Sequence, residues 1–419
     1  MPPSYTGLTR AQLSYDYLHS NSTTHEFLFG ALAEILDNSR DANASKMDIF
    51  TVNDIRLRGG VRLYLLDDGE GMDPTETAKV VTFGLSHKKS MDSKQIGQYG
   101  NGLKSGSMRI ANDMILFTKK SGIMTCLMLS RTFHEEDKIS EVIVPLPSFN
   151  SCGLSPVYGK GKSQEHHEIE MALILKYSPF HTREEFLEQF SRIEAESGTL
   201  VILYNLKLLD TGVTELDFKT NPEDILIAET DLLRDKILVT EKYSFRAYVA
   251  LLYSEPRMKV YVQGKKVHAH RLVYDLYKPR TYEYTSSRFK TRAKEVANKA
   301  EVEYKLAKQK LKDTEGRARE FEKINLPKLM SSEDRAKLRT LQAAASELRT
   351  DVERKKLDYD VQQRSLKEPK TLSFIFGINL ENRKNDGLFI YNCNRLIKMY
   401  VRVGPQLEGE QKCRGVVGT

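Results

Sequence analysis

The 419-residue chain has no tryptophan and only four cysteines, Cys126, Cys152, Cys393 and Cys413. None of the four sits in a C-x-x-C pair, which leaves no zinc-knuckle or redox spacing and makes reduced, buried thiols the expected state. No stretch approaches the roughly 18 consecutive apolar residues of a membrane span. Met1-Pro2-Pro3-Ser4-Tyr5 does not open a secretory signal, so an intracellular protein is expected. Net charge is absent from most of the chain. The formal +7 lies within Thr285 to Leu366, which holds 21 Lys+Arg against 14 Asp+Glu, whereas the rest carries 43 of each. What is present is a 40% hydrophobic composition and a length sufficient for two or three domains with their own cores.

Three clusters carry chemistry. Gly97-Gln98-Tyr99-Gly100-Asn101-Gly102-Leu103-Lys104-Ser105 places glycines and a lysine ahead of an apolar pattern. Glycines let successive backbone N–H groups converge on one anion, and a following helix start adds its positive end. The run misses the Walker A pattern, because Leu103 stands where lysine is required and a polar loop, Ser86 to Ile96, precedes it. Upstream, Glu34-Ile35-Leu36-Asp37-Asn38 follows an apolar run with helical spacing, so Glu34 and Asn38 share one face. Between the two, Asp67-Asp68-Gly69-Glu70-Gly71-Met72 closes the strand Val61 to Leu66 and puts a carboxylate beside a flexible turn. Singly these read as a solvated helix face, a turn and a glycine-rich loop.

Together, E-x-x-D-N, D-x-G-x-G and G-x-x-G-x-G-x-K in this order resemble the GHKL (Bergerat) ATPase pattern. The resemblance extends further. Asn21 to Glu34, Gln95 to Ser107, Phe117 to Lys120, Arg131 to His134, Tyr177 to Phe180 and Arg395-Leu396-Ile397-Lys398-Met399-Tyr400 are similar to the microrchidia (MORC) family of chromatin ATPases, and these segments cover nearly the whole chain. Many members carry a CW-type zinc finger named for its tryptophans, and a chain without tryptophan lacks that module.

Hydrolysis needs a base, a metal and a donor for developing charge. Glu34 is the candidate base, and Asn38, one turn on, offers an amide oxygen to Mg²⁺. The resemblance implies Asp67 as acceptor for the adenine amino group, with Gly71 and Met72 lining the base pocket. Gln98, Tyr99, Gly100, Asn101, Gly102, Leu103 and Lys104 form the phosphate side of the lid, and Ser86, His87 and Lys88 its other end. It also implies that Lys398, from a second domain, reaches the terminal phosphate as a catalytic group. ATP-dependent homodimerisation, a crossing N-terminal segment around Tyr17, slow turnover, nuclear location and a role in chromatin compaction or gene silencing follow from the same likeness.

The expected fold class is α/β: a Bergerat sandwich ATPase domain over residues 1–180, then an α/β transducer over 181–283 and 367–419, interrupted by a coiled-coil arm over 284–366. Helices are expected near Ala11 to His19 and Phe27 to Ala42, and the second unit is expected to begin with strands Thr199 to Leu206, Phe245 to Tyr253, Lys259 to Val262 and Lys266 to His270. Ala293, Val296, Ala300, Tyr304, Ala307 and Leu311 step by threes and fours, and Leu338, Leu341, Ala345, Leu348 and Val352 resume the seam after Asn325-Leu326-Pro327. Two helices of roughly 50 Å each should form an antiparallel hairpin. Lys278, Arg280, Arg288, Lys290, Arg292 and Lys294 crowd its base, where phosphate contacts would bind DNA without reading bases. The chain ends at Thr419 without a polar tail, as a fragment would. The rival reading is a nucleotide-dependent dimerisation scaffold that hydrolyses little and recruits proteins through the arm. A sensor kinase is disfavoured because only 33 residues precede Glu34.

Overall fold

The computed structural model describes residues 10–14, 27–80, 102–139, 141–159, 163–228, 239–286, 291–324, 331–366, 369–380, 383, 385–408 and 413–419. They form two compact units, one of residues 1–278 and 377–419 and the other of residues 279–376.

The first unit is built on an eight-stranded sheet. Its order is Lys265–Lys266 (β12), Lys259–Val262 (β11), Lys46–Asn53 (β2), Val61–Asp67 (β3), Gly198–Leu206 (β8), Ala111–Lys120 (β4), Ile123–Ser130 (β5) and Ser148–Asn150 (β7). All neighbours are antiparallel except β11 and β2. Two short pairs lie outside it, Arg10–Ser14 (β1) with Glu141–Ile143 (β6) and Leu216–Asp217 (β9) with Leu226–Ile227 (β10).

Both faces of the sheet are buried, and the alternation of side chains along each strand supplies two cores. Leu63, Leu65, Met114, Leu116, Val201 and Leu203 face helix Leu28–Asp41 (α1) and Gly102–Ile110 (α3). Their neighbours Tyr64, Ile115, Phe117, Leu200, Ile202 and Tyr204 face helices Gln164–Tyr177 (α5) and Arg183–Ser191 (α6), which begin at Ser163 and Thr182 caps. Helices Pro74–Val80 (α2) and Arg131–Glu136 (α4) complete this part, α4 capped by Ser130.

Five expectations are corrected here, the first being burial of the cysteines, since Cys126 is buried whereas Cys152 and Cys413 are exposed. Thr199 to Leu206 does not begin a second unit: β8 is a central strand of the main sheet, between β3 and β4, and β11 joins the same sheet. Such non-local pairing is invisible to spacing. Phe245 to Tyr253 is no strand; after Thr240–Tyr243 (α7), Phe245–Leu252 is a helix (α8) whose N-cap Ser244 accepts from Ala247 N–H. A short apolar run is ambiguous by period, and here the cap decides. Ala11 to His19 is not a helix from its start, since residues 10–14 form β1. Lys266 to His270 shrinks to the two residues of β12.

Gly387–Asn392 (β15), Arg395–Val401 (β16) and Val416–Gly418 (β17) close the unit, with Phe389, Leu396 and Val417 in the same core as α1. The second unit contains most of Tyr277–Ser286 (β13) and Lys370–Ile378 (β14), and helices Thr291–Ile324 (α9) and Ser332–Ser365 (α10). The two helices run antiparallel: Glu315 pairs with Arg349 at 2.8 Å and Glu303 with Lys355 at 3.2 Å, and Tyr304 stacks on Tyr359. Ala297, Ala300, Ala307 and Ala345 are buried between them. Among the described residues no helix is long and apolar enough to cross a membrane.

Candidate functional site

Helix α1 carries two of the expected groups because its apolar residues pack inward and leave Glu34 and Asn38 partly open on one face. Asn38 Nδ2 donates to the Glu34 carbonyl at 2.8 Å, which turns its amide oxygen away from the helix. Burial raises the Glu34 carboxyl above its ordinary value, opposed by the Arg395 guanidinium. The next residue, Ser39, links the helix to the strand end: its hydroxyl donates to Asp67 Oδ2 at 2.6 Å, and Gly69 N–H donates to Oδ1 at 2.9 Å. Burial pushes Asp67 upward while these donors hold it down. A carboxylate has about four acceptor positions, so three donors, Ser39, Gly69 and the Thr199 backbone, leave Asp67 capacity for another.

Gly71 adopts a left-handed φ of 65°, and a Cβ there would stand 1.9 Å from the Lys119 carbonyl oxygen. Only glycine fits. Met72 N–H donates to Thr118 Oγ1, which in turn donates to the Gly198 carbonyl. Asp67, Gly71, Met72 and Thr118 thus gather where β3, β4 and β8 meet.

Helix α3 crosses α1 through glycines one turn apart. A Cβ on Gly102 would lie 2.3 Å from Glu34 Oε2, and one on Gly106 2.5 Å from the Ala31 carbonyl. This approach puts the first turn of α3, with partly buried Leu103 and buried Lys104, beside the Glu34 carboxylate. Burial lowers the Lys104 ammonium to about 8. Glu34, Asn38, Gly102 and Leu103 with Lys104 therefore form one neighbourhood, joined to Asp67 through Ser39. Tyr17, Ser86, His87, Lys88, Gln98, Tyr99, Gly100 and Asn101 lie outside the described residues. Lys398 is exposed on β16. Lys278, Arg280 and Lys294 are exposed too; Arg288 and Lys290 lie outside the described residues, and only the backbone of Arg292 is described.

Sequence reasoning missed the group that ties β16 to this site. Arg395 Nε donates to Asp37 Oδ2 at 2.9 Å, and its Nη2 lies 3.8 Å from Glu34 Oε1. Asp37 is only 2% exposed and also accepts from the Tyr253 hydroxyl at 2.8 Å. The Arg40 guanidinium covers the Tyr253 ring at 4.7 Å. Burial raises the Asp37 carboxyl to about 6, with the Arg395 charge pulling it down. One signal was legible: an aspartate next to Ile35 and Leu36 on an apolar helix face demands a partner.

With this geometry in place, likeness to known proteins becomes informative. A domain profile described as "Histidine kinase-, DNA gyrase B-, and HSP90-like ATPase" matches residues 25–155. The chain is 55% identical to human "ATPase MORC2" over 415 residues, 99% of this chain and 40% of that protein. It is 46% identical to human "MORC family CW-type zinc finger protein 1", with 100% and 40% covered, and 31% identical to Caenorhabditis elegans "ATPase morc-1", with 94% and 45% covered. The chain thus spans less than half the length of these curated relatives.

Proposed function

Because the chain belongs to the MORC family and carries its histidine kinase-, gyrase B- and HSP90-like ATPase domain, we propose that it is an ATP-driven dimerising clamp that slowly hydrolyses ATP and acts on DNA in chromatin. The observation that carries the reading is α1 itself, which holds Glu34 and Asn38 open on one face and is tied to Asp67 by Ser39.

In this reading Asp67 accepts from the adenine amino group and Gly71 with Met72 lines the base. Glu34 orients the attacking water and takes its proton, a task its raised carboxyl suits. The residues fit Mg²⁺, which prefers one or two protein ligands beside phosphate oxygens and water, because the Asn38 amide oxygen is turned outward. Bound there, the ion would neutralise phosphate charge. Ser86, His87, Lys88 and Gln98 through Lys104 hold the phosphates, Lys398 contributes from β16, and a segment around Tyr17 crosses to the partner. A group on β16 that touches only the triphosphate gives ATP the preference for a closed state that a switch requires. Nuclear action in compaction or silencing belongs to the same proposal.

Light scattering with and without a non-hydrolysable ATP analogue tests site and switch together: the analogue should convert monomer to dimer. Asn38→Ala should weaken nucleotide binding at least about tenfold, the scale of one lost contact to a charged group, and remain monomeric. A variant that still dimerises with wild-type affinity refutes the ligand assignment. Residues 284–366 are read as the coiled-coil arm, and reversing charge at Arg288, Lys290, Arg292 and Lys294 should reduce duplex affinity and the salt slope by about one per lost phosphate contact. Unchanged DNA affinity would assign the arm to a protein partner.

A further inference from the structure

At the end of the sheet remote from Asp67 lies a pocket of about 280 Å³, lined by Arg58, Asn112, Arg131, Lys207, Glu135 and Glu215 among others. We propose that it is a second anion site, which receives a phosphate group from a ligand other than the nucleotide. Four elements build it: the β2–β3 turn supplies Arg58, the start of β4 Asn112, the first turn of α4 Arg131, and the residue after β8 Lys207. The turn is anchored by Leu206 N–H to the Arg58 carbonyl and Arg58 N–H to Asn205 Oδ1.

Both carboxylates at the rim are already committed. Glu135 pairs with Arg131 at 2.7 Å, and Glu215 with Arg109, the last-turn cation of α3, at 2.6 Å. No described carboxylate lies within ion-pair distance of Lys207 or Arg58. Lys207 is half-buried, and its ammonium is pulled below its ordinary value first by burial and then by repulsion from Arg109 and Arg131, partly offset by attraction to Glu215, with a smaller repulsion from Arg58. Beyond the two ion pairs, Lys207 and Arg58 add positive charge to the lining, which a bound anion would offset. The volume is just under the roughly 300 Å³ at which organic-ligand pockets begin, a size that suits a compact anion. From Thr199, which pairs with Asp67, to Lys207 is eight residues of extended chain, about 26 Å at 3.3 Å each. The pocket is therefore separate from the nucleotide site.

The test is calorimetric titration of the full chain with inorganic pyrophosphate while a saturating ATP analogue occupies the nucleotide site. Pyrophosphate should bind, Lys207→Met should weaken it about tenfold or more, and Lys207→Arg should stay within about threefold. Without anion, Lys207→Met should melt no lower than the parent chain, because it relieves repulsion. Competition by a short DNA duplex would identify a nucleic-acid backbone as the phosphate source, and its absence a small free anion. No pyrophosphate binding, or equal affinity in Lys207→Met, overturns the proposal. Binding of the analogue is read in its own titration, so failure of the nucleotide site is seen independently.

Discussion

Glu34→Gln is expected to lower ATP turnover by about 10²–10⁴-fold, the usual contribution of a positioned acid–base group, and to leave nucleotide affinity within about threefold. The substitution keeps the shape of the side chain and removes only its proton-accepting charge. It should not unfold the site: the Glu34–Arg395 separation of 3.8 Å is loose, and the Glu34 side chain is 34% exposed. Pairs of that kind contribute at most about 1 kcal/mol. If the dimer then persists longer in ATP than in the parent chain, hydrolysis is the step that opens it. Steady-state turnover with ATP affinity measured in parallel decides the matter. Undiminished turnover would remove Glu34 from the reaction and favour a scaffold that only binds nucleotide.

Arg395→Met should have the largest effect on stability. The Arg395 side chain is 11% exposed and Asp37 2%, so the variant leaves a buried carboxylate without its cation. Loss of one partner of such a pair costs about 3–5 kcal/mol, whereas replacing both partners with neutral groups costs far less. Arg395→Met with Asp37→Asn should therefore recover most of the melting temperature lost in the single variant. Arg395→Lys keeps the charge but cannot reproduce a guanidinium that donates to Asp37 while facing Glu34, so partial loss is expected. Denaturant unfolding of the three variants gives the comparison. Equal stability of single and double variants would show that Arg395 and Asp37 are not energetically coupled.

The contrast between these residues shows what could be read without coordinates. Glu34 and Asn38 are four apart on a helix, and that period is written in the apolar residues between them. Asp67 at a strand end before glycines is likewise local, and the left-handed φ of Gly71 is what that residue type permits. Along the long helices Ala300, Ala307 and Ala345 of the expected seam are buried, and so is Ala297, one position past the expected Val296.

Other features were not settled by the local apolar period. Phe245–Leu252 looked like a strand because eight apolar-rich residues fit either period, and Ser244 had to cap the helix. The place of β8 between β3 and β4 depends on which strands pair, a choice that alternation along one strand does not encode. Arg395 and Asp37 are separated by 358 positions. The local pattern of the chain determined the helix face that carries Glu34 and Asn38, the carboxylate at the end of β3 and the glycines beside it, because helical and extended periods are properties of neighbouring residues. Tertiary structure alone decided which distant charges meet, at Asp37 with Arg395 and around Lys207, because burial and electrostatic pairing act across space whatever the separation along the chain.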